Sequence, residues 1–173
     1  MKPIAVVYVS ETGHTEAYAR MLGEKTGMSV YTLQQAETAL AANAPVVYMG
    51  WLMAGRIKDY AKAARRYKLR GVCAVGLADS GSLDETVRKN HRIPAETAVF
   101  SLQGGIERDK LQGVYASMID TLIKALKLRK KPSDTERQML ALLQENGSRV
   151  NGAALAPVLQ WYKNAKNNKK ARL

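Results

Sequence analysis

The sequence predicts an α/β protein in which a parallel sheet is covered on both faces by helices. Short runs of apolar, mostly β-branched residues alternate along the chain with longer segments whose apolar residues recur every three or four positions. The short runs are apolar at nearly every position, which is typical of strands buried on both faces. Because crossovers between parallel strands are right-handed, we expect a doubly wound sheet.

Five strands are predicted, each an apolar run that ends at a glycine or a polar cluster. The third is the clearest, because Pro45 opens an uninterrupted apolar run that ends at Gly50. The predicted strands are residues 4–9, 28–33, 45–49, 71–77 and 97–102.

The helices are predicted from apolar residues at three- and four-residue spacing. In the longest of them, Val114, Met118 and Leu122 follow one another at intervals of four residues. This helix is expected to pack its apolar side on the sheet. The alternative is that its C-terminal part is an amphipathic segment that lies at a membrane surface. The predicted helices between and after the strands are residues 15–26, 36–42, 57–67, 83–90 and 110–129.

A proline and polar residues after position 131 divide the chain into a predicted domain and an extension of it. Residues 1–131 are expected to form the α/β domain, and residues 132–173 a basic C-terminal extension with two helices. The net charge of the whole chain is +12, of which residues 124–173 carry +9. This asymmetry indicates either an anionic partner, such as an acidic protein or a membrane surface, or simply a solubilising surface.

The composition is that of one domain with a sizeable core: 173 residues, 46% of them hydrophobic. No apolar stretch is long enough to span a bilayer, and the N-terminus lacks the features of a signal peptide, so we expect a cytoplasmic protein, with peripheral attachment to the inner face of the membrane as an option. The single cysteine, Cys73, excludes an internal disulfide and a multi-cysteine metal site. No residue is assigned a catalytic or metal-binding role.

The loop after the first strand carries the strongest functional signal. It contains three hydroxyls and a glycine at the expected start of a helix, where free backbone N–H groups attract a phosphate. It lacks the glycine pattern of dinucleotide-binding loops and the lysine of triphosphate-binding loops, which favours a terminal monophosphate. The residues of this predicted phosphate loop are Ser10, Glu11, Thr12, Gly13, His14 and Thr15.

The strand and loop at residues 4–15 resemble the opening of flavodoxin-type proteins, whose [ST]-x-T-G-x-T loop holds the phosphate of FMN. The residues from 103 to 131 are similar to the flavodoxin-domain group related to menaquinone-dependent protoporphyrinogen oxidase. The resemblance implies a flavodoxin-like five-stranded sheet of order 2-1-3-4-5 and an FMN cofactor. The first loop differs from the R-D-G-Q-T pattern of that group, so the reaction stays open.

Two further loops are expected to contact the flavin ring if the resemblance holds. In the loop after the third strand, Trp51 is the candidate for stacking on the ring. The loop after the fourth strand has no aromatic residue, which would leave one face of the flavin open to a substrate. The residues of these two loops are Gly50, Trp51, Leu52, Met53, Ala54 and Gly55, followed by Ala78, Asp79, Ser80 and Gly81.

Three functional interpretations remain open from the sequence. The flavin could serve an electron carrier that docks a redox partner protein, or a small oxidoreductase acting on a quinone, a nicotinamide or a porphyrinogen-type compound. The third interpretation is a non-catalytic module whose basic C-terminal surface engages a nucleic acid or an anionic membrane. Nucleic acid is the less favoured partner, since Trp161-Tyr162 is the only aromatic pair near the basic tail.

Overall fold

The computed structural model describes residues 2–145 and 147–170 of the chain. Its centre is a six-stranded sheet in which five strands are parallel, in the order β2-β1-β3-β5-β6, and the short β4 pairs antiparallel with the end of β3. This confirms the predicted α/β class and the mostly parallel sheet. The strands are β1 (Ala5–Val9), β2 (Ser29–Thr32), β3 (Pro45–Met53), β4 (Arg56–Ile57), β5 (Lys68–Gly76) and β6 (Ala98–Gln103).

Helices cover both faces of the sheet, and two further helices stand apart from it. Helices α2, α3 and α4 pack on one face, and α1 and α7 pack on the other. A two-stranded ribbon, β7 (Gly105–Ile106) with β8 (Gly147–Ser148), brackets α5 and α6, which pack on each other. The helices are α1 (His14–Thr26), α2 (Leu33–Ala39), α3 (Tyr60–Arg66), α4 (Asp84–His91), α5 (Gly113–Lys127), α6 (Asp134–Gln144) and α7 (Ala156–Lys170).

The third strand is longer than predicted. Gly50 does not end it, because β3 continues through Trp51 and Leu52 to Met53 and then turns back into β4. Gly50 lies in the sheet, where an added Cβ would be 2.5 Å from Cγ2 of Ile57, so the glycine is needed to bring β4 close. The predicted helix at 57–67 is therefore wrong at its start, and α3 begins at Tyr60.

The long apolar helix predicted at 110–129 does not pack on the sheet. It begins at Gly113 as α5 and buries Ile119 and Ile123 against α6, in a cluster separate from the sheet core. The predicted boundary at residue 131 thus falls between two helices that pack on each other. Among the described residues, no helix combines the length and the apolar character required to cross a membrane.

The C-terminal extension supplies part of the sheet core. Leu155 and Val158 are fully buried beside α1, and Tyr162 of α7 is also buried. The Tyr18 hydroxyl of α1 donates to the Gln103 carbonyl at 2.6 Å and accepts from the Asn151 N–H at 3.2 Å, which ties the extension to the ends of α1 and β6. Since Tyr162 is buried, its ring is not available to stack on a nucleic-acid base.

A glycine in β5 gives a test of this packing. An added Cβ at Gly71 would lie 2.9 Å and 3.1 Å from two ring atoms of Trp161 in α7. Because a rigid indole must move to accept it, we expect Gly71→Ala to lower the free energy of unfolding by about 1–3 kcal/mol. Urea denaturation measures this. The control is Gly147→Ala, where an added Cβ meets nothing within 4 Å, and a loss of equal size there would contradict the packing of α7 on β5.

Candidate functional site

The carboxyl ends of the parallel strands and the α5–α6 pair enclose a cavity of about 580 Å³. This volume is within the range of small-molecule and cofactor sites. The polar end of the cavity is formed by the loop between β1 and α1, and the opposite wall by apolar side chains of α5 and α6, among them Met118, Ile119 and Leu143. Among the described residues, no lysine or arginine lines it.

The polar end of the cavity is the N-terminus of α1. Gly13 precedes the helix with a φ of 95°, a left-handed conformation that favours glycine, and no side chain caps the first turn. The Gly13 N–H donates to Oγ of Ser10 at 3.1 Å, which draws the loop into a tight turn. The helix therefore presents its first N–H groups and its positive dipole end to the cavity, beside the hydroxyls of Thr12 and Thr15.

His14 lines the cavity in the first turn of α1 and is almost completely buried. Its Nδ1 lies 2.9 Å from the Thr12 hydroxyl, with which it shares a hydrogen bond. Its Nε2 has no hydrogen-bond partner among the described residues and lies 3.9 Å from the Glu107 carboxylate. Burial lowers the pKa of His14, although Glu107 acts in the opposite direction. Burial thus favours the neutral imidazole, and its Nε2 is a polar atom without a hydrogen-bond partner among the described residues.

Trp51 lies at the end of β3 and lines the cavity beside α5. Its ring makes an edge-on contact with the ring of Tyr115, with centroids 5.0 Å apart and an interplanar angle of 88°. The indole Nε1 is buried and has no hydrogen-bond partner in the described part of the chain. The ammonium of Lys58 lies 5.9 Å from the Tyr115 centroid, and a hydrogen bond with Tyr115 is the main cause that raises the pKa of Lys58. Tyr115 thus joins the β3–β4 hairpin to α5.

The loop after β5 is fixed to the neighbouring strand β6. The Gly81 N–H donates to the Ser101 carbonyl at 2.9 Å, and Oγ of Ser80 accepts from the Gln103 N–H at 2.9 Å. The Asp79 carboxylate accepts from the Gln103 side-chain amide at 3.2 Å. Asp79, Ser80 and Gly81 thus hold the loop in place by hydrogen bonds to β6, while Ala78 beside them lines the cavity.

Most of the residues predicted to bind a cofactor are brought together by the fold. Gly13, Gly50, Asp79, Ser80 and Gly81 do not line the cavity. The predicted residues that do line it are Ser10, Glu11, Thr12, His14, Thr15, Trp51, Leu52, Met53, Ala54, Gly55 and Ala78.

Sequence reasoning missed the wall contributed by the α5–α6 pair and by the end of β6. An added Cβ at Gly104 would lie 2.8 Å from Cγ1 of Val75 and 3.2 Å from Cβ of His14, so a glycine is required where β6 approaches α1. The Gly104-Gly105 pair was a sequence signal of this close approach. The missed residues of this wall are Leu111 just before α5, Tyr115, Met118, Ile119 and Leu122 of α5, and Met139 and Leu143 of α6.

The C-terminal end of α4 supports the β3–β4 hairpin and gives a pH-dependence prediction. Nε2 of His91 accepts from the Ile57 N–H at 2.9 Å, so this nitrogen must be unprotonated. Burial and the charge of Arg56 both lower the pKa of His91. Because the folded state disfavours the protonated ring, stability is expected to fall as the pH drops below the unfolded histidine pKa of about 6.5.

Thermal unfolding between pH 7 and pH 5.5 measures this effect. In His91→Gln, an amide oxygen can still accept from Ile57, and the decrease in melting temperature over this range is expected to be smaller than in the wild type. An unchanged decrease in the variant would contradict the assignment to His91, and His14 would then be the remaining histidine to account for it.

Comparisons with known proteins give no match: no protein-family model, no curated protein and no solved structure is similar to this chain at a significant level.

Proposed function

We propose that the protein is a flavodoxin-like redox protein that binds FMN in this cavity. The observation that carries the proposal is the position of the uncapped α1 N-terminus, which forms the one strongly polar end of an otherwise apolar cavity. FMN likewise has a polar end and an apolar end, with a phosphate at one and a flat, largely apolar ring system at the other. The strand order and the resemblance of residues 4–15 to the flavodoxin phosphate loop support the same assignment.

The phosphate would be held by backbone N–H groups and hydroxyls. Thr12 and Thr15 lie at the uncapped first turn, and the unused Nε2 of His14 is a further candidate donor. With no lysine or arginine among the described lining residues, a monoester phosphate suits this end better than a triphosphate. The residues present therefore fit the phosphate of FMN.

The ring would lie toward Trp51 and the apolar wall. The indole Nε1 of Trp51, which lacks a partner, and the apolar side chains of Met53 and Leu77 provide a surface for a planar ring. When bound, FMN supplies the one- and two-electron chemistry, and the chain supplies binding, orientation and the exclusion of water. Met118 and Leu122 of α5 also line this cavity, which favours a small organic electron donor or acceptor over a docked redox protein.

The test is a titration of flavin-free protein with FMN, and with riboflavin as the matched ligand that lacks the phosphate. We expect FMN to bind with a perturbed absorbance spectrum and at least about a hundredfold more tightly than riboflavin, since charged hydrogen bonds to a phosphate are worth about 1.5–3 kcal/mol each. If neither flavin binds, the proposal is wrong. If both bind equally, the α1 N-terminus is not the phosphate site.

A further inference from the structure

We propose that one side of α5, together with the basic segment that follows it, is a docking surface for an anionic lipid bilayer. The α5 face is defined by Val114, Met118, Leu122 and Leu128. The proposal does not depend on FMN binding, because it rests on the exposure and charge of this segment alone.

The α5 face is exposed although its side chains are large and apolar. Val114 is 71% exposed, Met118 46%, Leu122 42% and Leu128 82%. Among the described residues, the only other large apolar side chain that is exposed is Ile4, at 55%. The spacing of four residues places Val114, Met118 and Leu122 on one side of the helix. Another side of α5 is buried, since Ile119 and Ile123 pack against α6. The helix thus has a second apolar side that nothing within the described chain covers.

Positive charge is concentrated at the C-terminal end of the α5 face. Residues 124–131 contain five basic residues and no acidic one. Arg129 pairs with Glu136 of α6, whereas the four lysines form no ion pair with any described residue. These lysines are Lys124, Lys127, Lys130 and Lys131, and all are exposed.

An apolar face bordered by unpaired lysines fits an anionic bilayer surface. The apolar side chains can enter the region between headgroups and acyl chains, while the lysine stems extend along it and place their ammonium groups at lipid phosphates. A second copy of the chain is a poorer occupant, because pairing would bring two clusters of lysines together in a protein of net charge +12.

Two members of the α5 face also belong to the cavity wall. Met118 and Leu122 line the cavity and are 46% and 42% exposed, which places them at its rim. Docking through this face would therefore place the mouth of the cavity against the lipid, so that an apolar ligand dissolved in the bilayer could reach it without crossing water.

The proposal is tested by flotation of the full chain with vesicles. The two vesicle types are phosphatidylcholine alone and phosphatidylcholine with about one lipid in three replaced by phosphatidylglycerol. We expect binding to the anionic vesicles that decreases steeply with salt, and little binding to the neutral ones. Val114→Ser with Leu128→Ser should weaken the partitioning at least about tenfold, because two exposed apolar side chains no longer enter the bilayer.

Matched controls distinguish binding through the α5 face from non-specific hydrophobic binding and from an effect of net charge. Ile4→Ser removes another exposed apolar side chain elsewhere and should leave binding unchanged. Lys130→Gln with Lys131→Gln should weaken binding about tenfold or more, because two ammonium groups no longer attract the anionic surface. Lys25→Gln with Lys89→Gln, which alters the net charge equally at a distance, should have a much smaller effect. All four proteins should melt like the wild type, since the substituted side chains are exposed.

Three results of the flotation experiment would overturn the proposal. They are a failure to bind anionic vesicles at low salt, equal binding to both vesicle types, and equal losses in the two lysine pairs. Self-association that Val114→Ser with Leu128→Ser abolishes would assign the surface to a second copy and also overturn the proposal.

Discussion

Thr12→Glu is expected to abolish FMN binding while leaving the binding of riboflavin nearly unchanged. Thr12 lies at the uncapped N-terminus of α1, with its hydroxyl 2.9 Å from Nδ1 of His14. A carboxylate at this position would face the phosphate, and two unit charges 4 Å apart repel by about 4 kcal/mol near a protein surface. We therefore expect at least about a hundredfold loss of FMN affinity, measured by fluorescence titration. Riboflavin has no phosphate, so it reports whether the rest of the cavity is intact.

Two variants of the same loop serve as controls. Thr12→Ser keeps the hydroxyl and is expected to bind FMN within a few-fold of the wild type. Glu11→Gln removes an exposed carboxylate that lines the same end of the cavity, and it should tighten FMN binding modestly by removing a repulsion. An equal loss of FMN and riboflavin in Thr12→Glu would indicate a damaged loop. Unchanged FMN affinity in that variant would contradict the phosphate assignment.

The sheet and the polar end of the cavity could be predicted from sequence because their signals are local. Strands buried on both faces leave continuous apolar runs, and the turn before α1 requires a glycine and small hydroxyl residues within six positions. The start of α2 was missed although its signal was also local. Thr32 and Gln35 form a reciprocal capping box, so the helix begins at Leu33 rather than at residue 36.

The roles of α5 and α7 could not be predicted in the same way, because periodicity shows that a helix is apolar and not what it packs against. Ile119 and Ile123 in α5 are four residues apart, and Leu155 and Val158 in the C-terminal extension are three apart, both spacings that place side chains on one side of a helix. The first pair packs on α6 and the second on the sheet. Long-range contacts determine which partner each helix packs against. One of them is the Tyr18 hydroxyl, which is hydrogen-bonded to both Gln103 and Asn151. The sequence of α5 did carry one signal, since it has apolar residues on a second side of the helix, and a helix packed on a sheet by one side would not need them.

The wall of the candidate site was missed for the same reason. Tyr115 reaches Trp51 because the chain leaves the sheet after β6 and forms the β7–β8 ribbon, with α5 and α6 between its two strands. Residues far apart in sequence thus form one cavity. The loops at the strand ends could be assigned from topology alone, whereas a helical pair inserted after the last strand could not.

Leu155→Ala is expected to destabilise the protein more than any other substitution considered above. Leu155 immediately precedes α7 and is fully buried, in the cluster that contains Tyr18 and Leu22 of α1. Removing a leucine side chain from such a core costs about 2–5 kcal/mol, because the cavity left behind is only partly refilled. At about 2–4 °C per kcal/mol for a chain of this size, the melting temperature should fall by roughly 4–20 °C.

The matched control is Leu128→Ala, the same substitution at a leucine that is 82% exposed. It should change the free energy of unfolding by less than about 0.5 kcal/mol. Chemical denaturation of both variants compares the two leucines directly. If Leu155→Ala lost less than about 1 kcal/mol, the C-terminal extension would be an appendage rather than a core layer. A large loss confined to Leu155→Ala would show that the C-terminal extension completes the sheet face opposite α2, α3 and α4.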